Sequence, residues 1–202
     1  MKIFCVGRNY SKHAKELGNT VPSQPVIFCK PDTALIRNNE PFYHPDFSSD
    51  IQHEIELVIR INKMGKKIQP KFARNYYNEI GIGIDFTARD LQNELKEKKL
   101  PWELAKAFDG SAPISEFTTL TEIDLNQITF SLNKNGKQVQ QGCSDNMIFS
   151  PDTIVSFVSQ YFTLKVGDLI FTGTPSGVGK VEIGDVLEGF MNGKKLLTCE
   201  IK

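Results

Sequence analysis

The residues best suited to chemistry are three acids in two short segments. In His53-Glu54-Ile55-Glu56-Leu57-Val58-Ile59 the alternation reads as a strand. Ile55, Leu57 and Ile59 share one face, and Glu54, Glu56 and Val58 share the other. β-Carbons two residues apart on a strand lie about 7 Å from each other, so both glutamates can reach one point. Carboxylates drawn together out of water repel and lose hydration unless a cation or a proton compensates. Taken alone, the segment also fits a solvent-facing strand with two ordinary charges. The second segment, Glu79-Ile80-Gly81-Ile82-Gly83-Ile84-Asp85, reads as a strand that ends in an acid just before a helix. Asp85 can serve there as part of a helix cap, or complete a site with Glu54 and Glu56. Oxygen-only donors favour Mg²⁺, Mn²⁺ or Ca²⁺ over zinc, and three carboxylates leave coordination positions open to water and a chelating substrate.

Cations and a candidate base accompany the acids. A helix expected over 88–99, with Thr87 as N-cap and Asp90 as its capping partner, places Arg89 and Gln92 one turn apart on one face. A guanidinium and an amide near a helix N-terminus suit a substrate carboxylate. A solvated face with a Glu94–Lys98 pair is the alternative, and it fits the C-terminal half better. Lys106 is a lone cation among apolar neighbours, where a snorkelling surface lysine is the simpler reading. His13 and Glu16, three apart on a helix expected over 11–17, can pair as an oriented general base for water or meet only as a surface contact. Thr172-Gly173-Thr174-Pro175-Ser176-Gly177-Val178-Gly179-Lys180 has the look of a phosphate loop. It carries Thr174 where the first glycine belongs, and no Ser or Thr follows Lys180, so nucleotide binding is rejected. The loop still offers hydroxyl and N–H groups to an anion.

These groups need a scaffold, and the sequence reads as β-rich. Strands are expected over 2–6, 26–29, 54–62, 79–85, 128–132, 169–172, 186–190 and 196–201. Asn135-Gly136 and Asn192-Gly193 sit between such runs and favour tight hairpins. Lys165-Val166-Gly167-Asp168-Leu169 echoes Glu182-Ile183-Gly184-Asp185-Val186, two Gly-Asp turns feeding strands. A third helix starts at Ser150 and Pro151, with Ile154, Phe157, Val158 and Tyr161 on its apolar face. Short helices among many strands argue for a β-rich α+β fold rather than a doubly wound sheet.

Composition narrows the function. The 202 residues fit one domain spanning 1–202, and 24 basic residues balance 24 acidic ones, so no general field favours nucleic acid or an anionic membrane. No apolar run approaches the roughly 20 residues a membrane helix needs, and Met1–Gly7 reads as a first strand rather than a leader. Cys5, Cys29, Cys143 and Cys199 are scattered without zinc-like spacing. They read as reduced thiols of a cytoplasmic protein.

Taken together, the segments resemble the fumarylacetoacetate hydrolase family, in particular its short acylpyruvase and oxaloacetate decarboxylase branch. The likeness runs nearly end to end. It rests on Gly7-Arg8-Asn9-Tyr10 followed by His13, His53-Glu54-Ile55-Glu56-Leu57, Asp85-Phe86-Thr87-Ala88-Arg89-Asp90-Leu91-Gln92, Leu104-Ala105-Lys106, Met147-Ile148-Phe149-Ser150 and Thr172–Gly179. The resemblance implies a mixed β-roll or barrel, a homodimer, and Glu54, Glu56 and Asp85 as ligands of Mg²⁺ or Mn²⁺. It implies that Arg89, Gln92, Lys106 and Thr174 hold a small 2-oxo acid, with His13 and Glu16 as the base on a lid helix. Arg8 is implied as a further substrate-binding residue, and it points towards the acylpyruvase branch. The activity implied is C3–C4 cleavage of acylpyruvates, decarboxylation of oxaloacetate, or both, through a stabilised enolate. Isomerase, decarboxylase or hydratase chemistry of aromatic catabolism is the competing enzyme reading, and a metal-stabilised β-rich binding module the non-enzyme one.

Overall fold

The protein is described by a computed structural model, which covers residues 1–11, 21–122, 124–125 and 127–202. The expected base, His13 with Glu16, and nearly all of its helix lie outside the described residues. A six-stranded sheet runs in the order Val26–Lys30, Ile3–Gly7, Leu169–Phe171, Ile55–Ile61, Tyr77–Ile84 and Thr118–Thr119. Only the pairing of Ile3–Gly7 with Leu169–Phe171 is parallel within it. An antiparallel four-stranded sheet follows the order Lys137–Cys143, Thr129–Lys134, Val186–Met191 and Lys194–Glu200. Two smaller sheets pair Gly179–Lys180 and Thr87–Ala88 with Ile51–His53, and Leu35–Ile36 with Ala112–Pro113. The fold is β-rich with a few short helices, as the strand-dense sequence leads one to expect.

Ile55–Ile61 is the strand that matters most, and it is buried on both faces. Ile55, Leu57 and Ile59 enter the main core with Ile80, Ile82 and Ile84 of the neighbouring strand. On the opposite face Val58 joins a second cluster with Ile3, Cys5, Leu169 and Phe171, and Glu54 and Glu56 continue that face towards the strand's start. The neighbour alternates isoleucine with glycine for a steric reason. A β-carbon on Gly83, which pairs with Glu56, would lie 2.6 Å from the Phe171 ring.

Both Asn-Gly pairs form the expected two-residue turns. Asn135 and Gly136 have φ of 52° and 77°, and Asn192 and Gly193 have 49° and 77°, the left-handed values that match the twist of the flanking strands. The echoed Gly-Asp turns also share one geometry. Gly167 and Gly184 have positive φ, while Asp168 and Asp185 each accept the N–H three residues earlier at 2.8 Å. Ser150 caps the helix Pro151–Tyr161 by accepting from the Thr153 N–H.

Three expectations need correction. The helix after Asp85 spans Arg89–Glu97, with Ala88 at its N-cap and no side-chain cap. Thr87 lies in a short strand and its hydroxyl donates to the Asp85 carbonyl. Asp90 turns away from that role because Ser48 Oγ and the Ser49 N–H hold its carboxylate at 2.6 and 2.9 Å. Tyr161 is 64% exposed, since the buried face of the last helix follows Ile154, Val155 and Val158. The Asn135-Gly136 hairpin supplies the one sequence signal for the strand Lys137–Cys143, because its Lys-Gln-Val-Gln-Gln run shows no apolar alternation.

Candidate active site

The two strands that carry the acids end side by side. Ile55 pairs with Ile84, and the next backbone bond runs from the Asp85 N–H to the Glu54 carbonyl at 2.8 Å. That ladder sets Asp85 beside Glu54, while strand alternation brings Glu56 to the same side. Glu54, Glu56 and Asp85 are all buried, and each offers an oxygen within 4.8 Å of the others. At that separation two full charges repel by about 3 kcal/mol even at an effective dielectric of about 20. Such a cluster therefore demands cations.

Lysines supply part of that demand. Lys106 Nζ lies 2.9 Å from Glu54 Oε2 and 2.7 Å from Asp85 Oδ2. It projects from the short helix Glu103–Lys106 and is 3% exposed, so the snorkelling alternative is excluded by its position. Burial pulls its pKa down, but Asp85 and Glu54 outweigh that and hold it above the usual lysine value. Lys30 Nζ lies 2.8 Å from Asp85 Oδ1 and donates to the Lys106 carbonyl and to Ser111 Oγ. It fastens Asp85 to the helix that carries Lys106.

Glu56 is left with the least compensation. The Gly173 N–H donates to its Oε2 at 2.6 Å. Burial first, then Asp85 and Glu54, push its carboxyl well above the usual range, against the weaker pull of Gly173 and Lys106. The Gly173 contact depends on glycine. Its φ is +101°, and a β-carbon there would meet that of Asn9 at 2.6 Å. Asn9 itself bridges the Thr172 and Phe149 carbonyls and accepts the Phe149 N–H, which holds the 172–174 loop against the strand.

Arg89 and Gln92 share a helix face, as the spacing requires, but they bond to each other. Arg89 donates to Gln92 Oε1 at 2.6 Å, to Glu54 Oε1 at 2.5 Å and to Gln52 Oε1 at 2.8 Å. Three of its five N–H donors are thus engaged, one on Glu54 and two on the glutamines that fix the guanidinium beside it. Thr174 Oγ1 donates to the Ile55 carbonyl and accepts from Gln140 Nε2. Arg8, at φ +63°, joins Glu54, Glu56, Asp85, Arg89, Gln92, Lys106 and Thr174 around one small pocket of about 40 Å³, with Lys96, Trp102 and Phe28 completing the wall.

Two supporting residues went unseen in the sequence. Lys30 ends an apolar strand and has no spacing to mark it. Gln140 accepts from the Ile55 N–H and, at 2.9 Å, contacts His53 Nδ1. An amide oxygen there makes His53 Nδ1 the protonated nitrogen, and burial lowers the His53 pKa, so the imidazole acts as a neutral strut behind Glu54.

A β-rich scaffold with three convergent carboxylates on the floor of a basic pocket defines an enzyme of small-molecule substrates. The chain belongs to the fumarylacetoacetate hydrolase family, whose C-terminal domain description matches residues 2–201. It is 41% identical over 199 residues to the oxaloacetate tautomerase YcgM of Escherichia coli, covering 98% of this chain and 91% of that protein. It is 44% identical over 189 residues to a mitochondrial oxaloacetate decarboxylase of Dictyostelium discoideum, covering 93% and 87%. The crystal structure of fumarylpyruvate hydrolase from Pseudomonas aeruginosa with Mn²⁺ and pyruvate superposes at a TM-score of 0.94 and 36% identity, covering all of this chain and 89% of that one. No helix among the described residues is long and apolar enough to cross a membrane.

Proposed function

We propose that the protein is a Mg²⁺- or Mn²⁺-dependent enzyme that converts small 2-oxo acids through an enolate, acting on oxaloacetate, acylpyruvates or both. The observation that carries this reading is the buried triad Glu54, Glu56 and Asp85, with oxygens no more than 4.8 Å apart. Its donor set fits a hard divalent ion. The ammonium of Lys106 between two of its members supports the reading of a site that takes positive charge. Glu54, Glu56 and Asp85 would hold the ion, and a bound divalent cation would supply Lewis acidity towards the 2-oxo group.

The chain's own residues provide the rest. Arg89, with Gln92 and the loop carrying Thr174, binds the substrate's 1-carboxylate through the donors it has free. Lys106 stands where negative charge develops on the 2-oxygen and stabilises it electrostatically. With oxaloacetate, the C3–C4 bond breaks, its electron pair enters the C2–C3 bond, carbon dioxide leaves, and C3 later gains a proton. With oxaloacetate tautomerisation, a proton moves between C3 and the 2-oxygen. With an acylpyruvate, His13 oriented by Glu16 takes a proton from water as the water oxygen bonds to C4; the C3–C4 bond then breaks, its electron pair enters the C2–C3 bond, a carboxylic acid leaves, and C3 gains a proton to give pyruvate. The enzyme works as a homodimer. An apolar depression of about 670 Å³ lined by residues including Phe47, Leu104 and Phe108 is a face suited to a second copy, and light scattering should return twice the 22.7 kDa chain mass. A monomeric mass would remove that part of the reading.

Oxalate mimics the 1-carboxylate and 2-oxygen pair. Thermal shift should show stabilisation by oxalate only when Mg²⁺ or Mn²⁺ is present, by about 2.7 kcal/mol at one hundred times Kd. Stabilisation that ignores the metal would defeat the proposal. Initial rates on oxaloacetate, acetylpyruvate, fumarylpyruvate and longer dienoic diacids then rank the activities.

A further inference from the structure

The metal-and-carboxylate reading leaves two basic residues of the pocket without work. Arg8 and Lys96 line it beside the triad, and among the described residues neither has a carboxylate within ion-pair distance. Both approach the same aromatic ring. Arg8 Cζ lies 6.0 Å and Lys96 Nζ 5.7 Å from the Trp102 centroid, so one ring of the pocket wall has a cation approaching from each of two elements. Their positions have independent origins. Arg8 holds a left-handed backbone after the strand Ile3–Gly7, a conformation that costs a non-glycine residue free energy and persists where the surroundings impose it. Lys96 sits one turn beyond Gln92 on the helix Arg89–Glu97, on the pocket side.

Charge shows what such a pair would take. Four basic side chains and three acidic ones line the pocket. A divalent ion on the triad would leave a surplus of three positive charges. A substrate with one carboxylate at the metal end cancels one of them. Burial, then Arg89, Arg8 and Lys106, pull the Lys96 pKa below the usual lysine value, the mark of cations crowded together. Trp102 and Phe28, with ring centroids 6.3 Å apart, offer the competing surface, since they would suit an uncharged acyl tail.

We infer that Arg8 and Lys96, set against Trp102, form a second carboxylate subsite that selects 2-oxo dicarboxylic acids over acylpyruvates with neutral tails. The inference rests on the proposed metal-centred reading and assigns Lys96 as a specificity-determining residue. Charge-assisted hydrogen bonds to a distal carboxylate would favour the diacid by about tenfold to a hundredfold.

Malate and lactate test it, because both present a 2-hydroxy carboxylate and differ in the distal carboxylate. Calorimetry with Mn²⁺ should show wild-type protein binding malate at least about tenfold more tightly than lactate. Lys96→Gln should lose most of that preference, Lys96→Arg should restore it, and oxalate affinity should change by less than about threefold in both. KM for oxaloacetate should rise about tenfold in Lys96→Gln, with KM for acetylpyruvate nearly constant. Equal wild-type affinity for malate and lactate overturns the subsite. So does a Lys96→Gln variant that weakens lactate and oxalate as much as malate. Absence of metal-dependent oxalate binding in the wild type would instead defeat the underlying metal reading.

Discussion

Replacing Glu56 with alanine is expected to abolish metal-dependent oxalate binding and reduce turnover of every 2-oxo acid to background. Removal of one of three charged ligands should weaken the divalent ion by more than the 10- to 100-fold typical of losing an outer hydrogen bond to a ligand. Lewis-acid assistance is worth several kcal/mol, so the rate should fall by about 10³ or more. Stability should change little, unlike the loss that follows most buried deletions. In the metal-free protein Glu56 costs free energy, because burial and the neighbouring Asp85 and Glu54 oppose its charge. The lost Gly173 hydrogen bond works the other way, so the two effects offset each other. Glu56→Gln separates them, since an amide oxygen can still accept from Gly173 while carrying no charge. Both variants should fold, with metal-free melting temperatures within a few degrees of wild type, and neither should respond to Mn²⁺ with oxalate. A Glu56→Gln protein that keeps wild-type oxalate affinity would place the ion elsewhere.

The convergence of the acids was legible because it depends on local rules. Strand alternation puts Glu54 and Glu56 on one side, and a strand ending at Asp85 can set its acid beside them. The same holds for the Asn-Gly hairpins and the Ser150 cap, each decided by two to four neighbouring residues. What stayed hidden depends on partners remote in sequence. Gln140 meets the Ile55 N–H across 85 residues, from a strand whose glutamines all look solvent-facing, although Gln140 is buried while the other six residues of that strand are exposed or half-buried. Lys30 reads as the polar end of an apolar strand, yet it is fully buried against Asp85. Arg89 was legible as to its face but not its partners, because spacing cannot tell whether a guanidinium waits for a ligand or already holds Glu54 and Gln92. Thr87 was misread for a related reason. Its sequence context fits a cap, but Ser48 and Ser49 compete for Asp90, and the chain between Asp85 and Arg89 is drawn into a sheet with Ile51–His53.

Replacing His13 with alanine is expected to divide the activities. Hydrolysis of an acylpyruvate needs a base to activate water, so its rate should drop by about 10²–10⁴. Decarboxylation of oxaloacetate needs none in the bond-breaking step, because carbon dioxide departs as its electrons pass to C2–C3, and it should lose far less. Tautomerisation moves a proton at C3 and should fall with hydrolysis. Glu16→Gln should follow the same order with a smaller loss, since the histidine would keep its ring but not the carboxylate that orients it. Metal-dependent oxalate binding serves as the control, because Glu54, Glu56 and Asp85 are untouched by either change. Equal losses in hydrolysis and decarboxylation, with oxalate binding intact, would remove His13 from the role of water-activating base and assign it to a step that both reactions share.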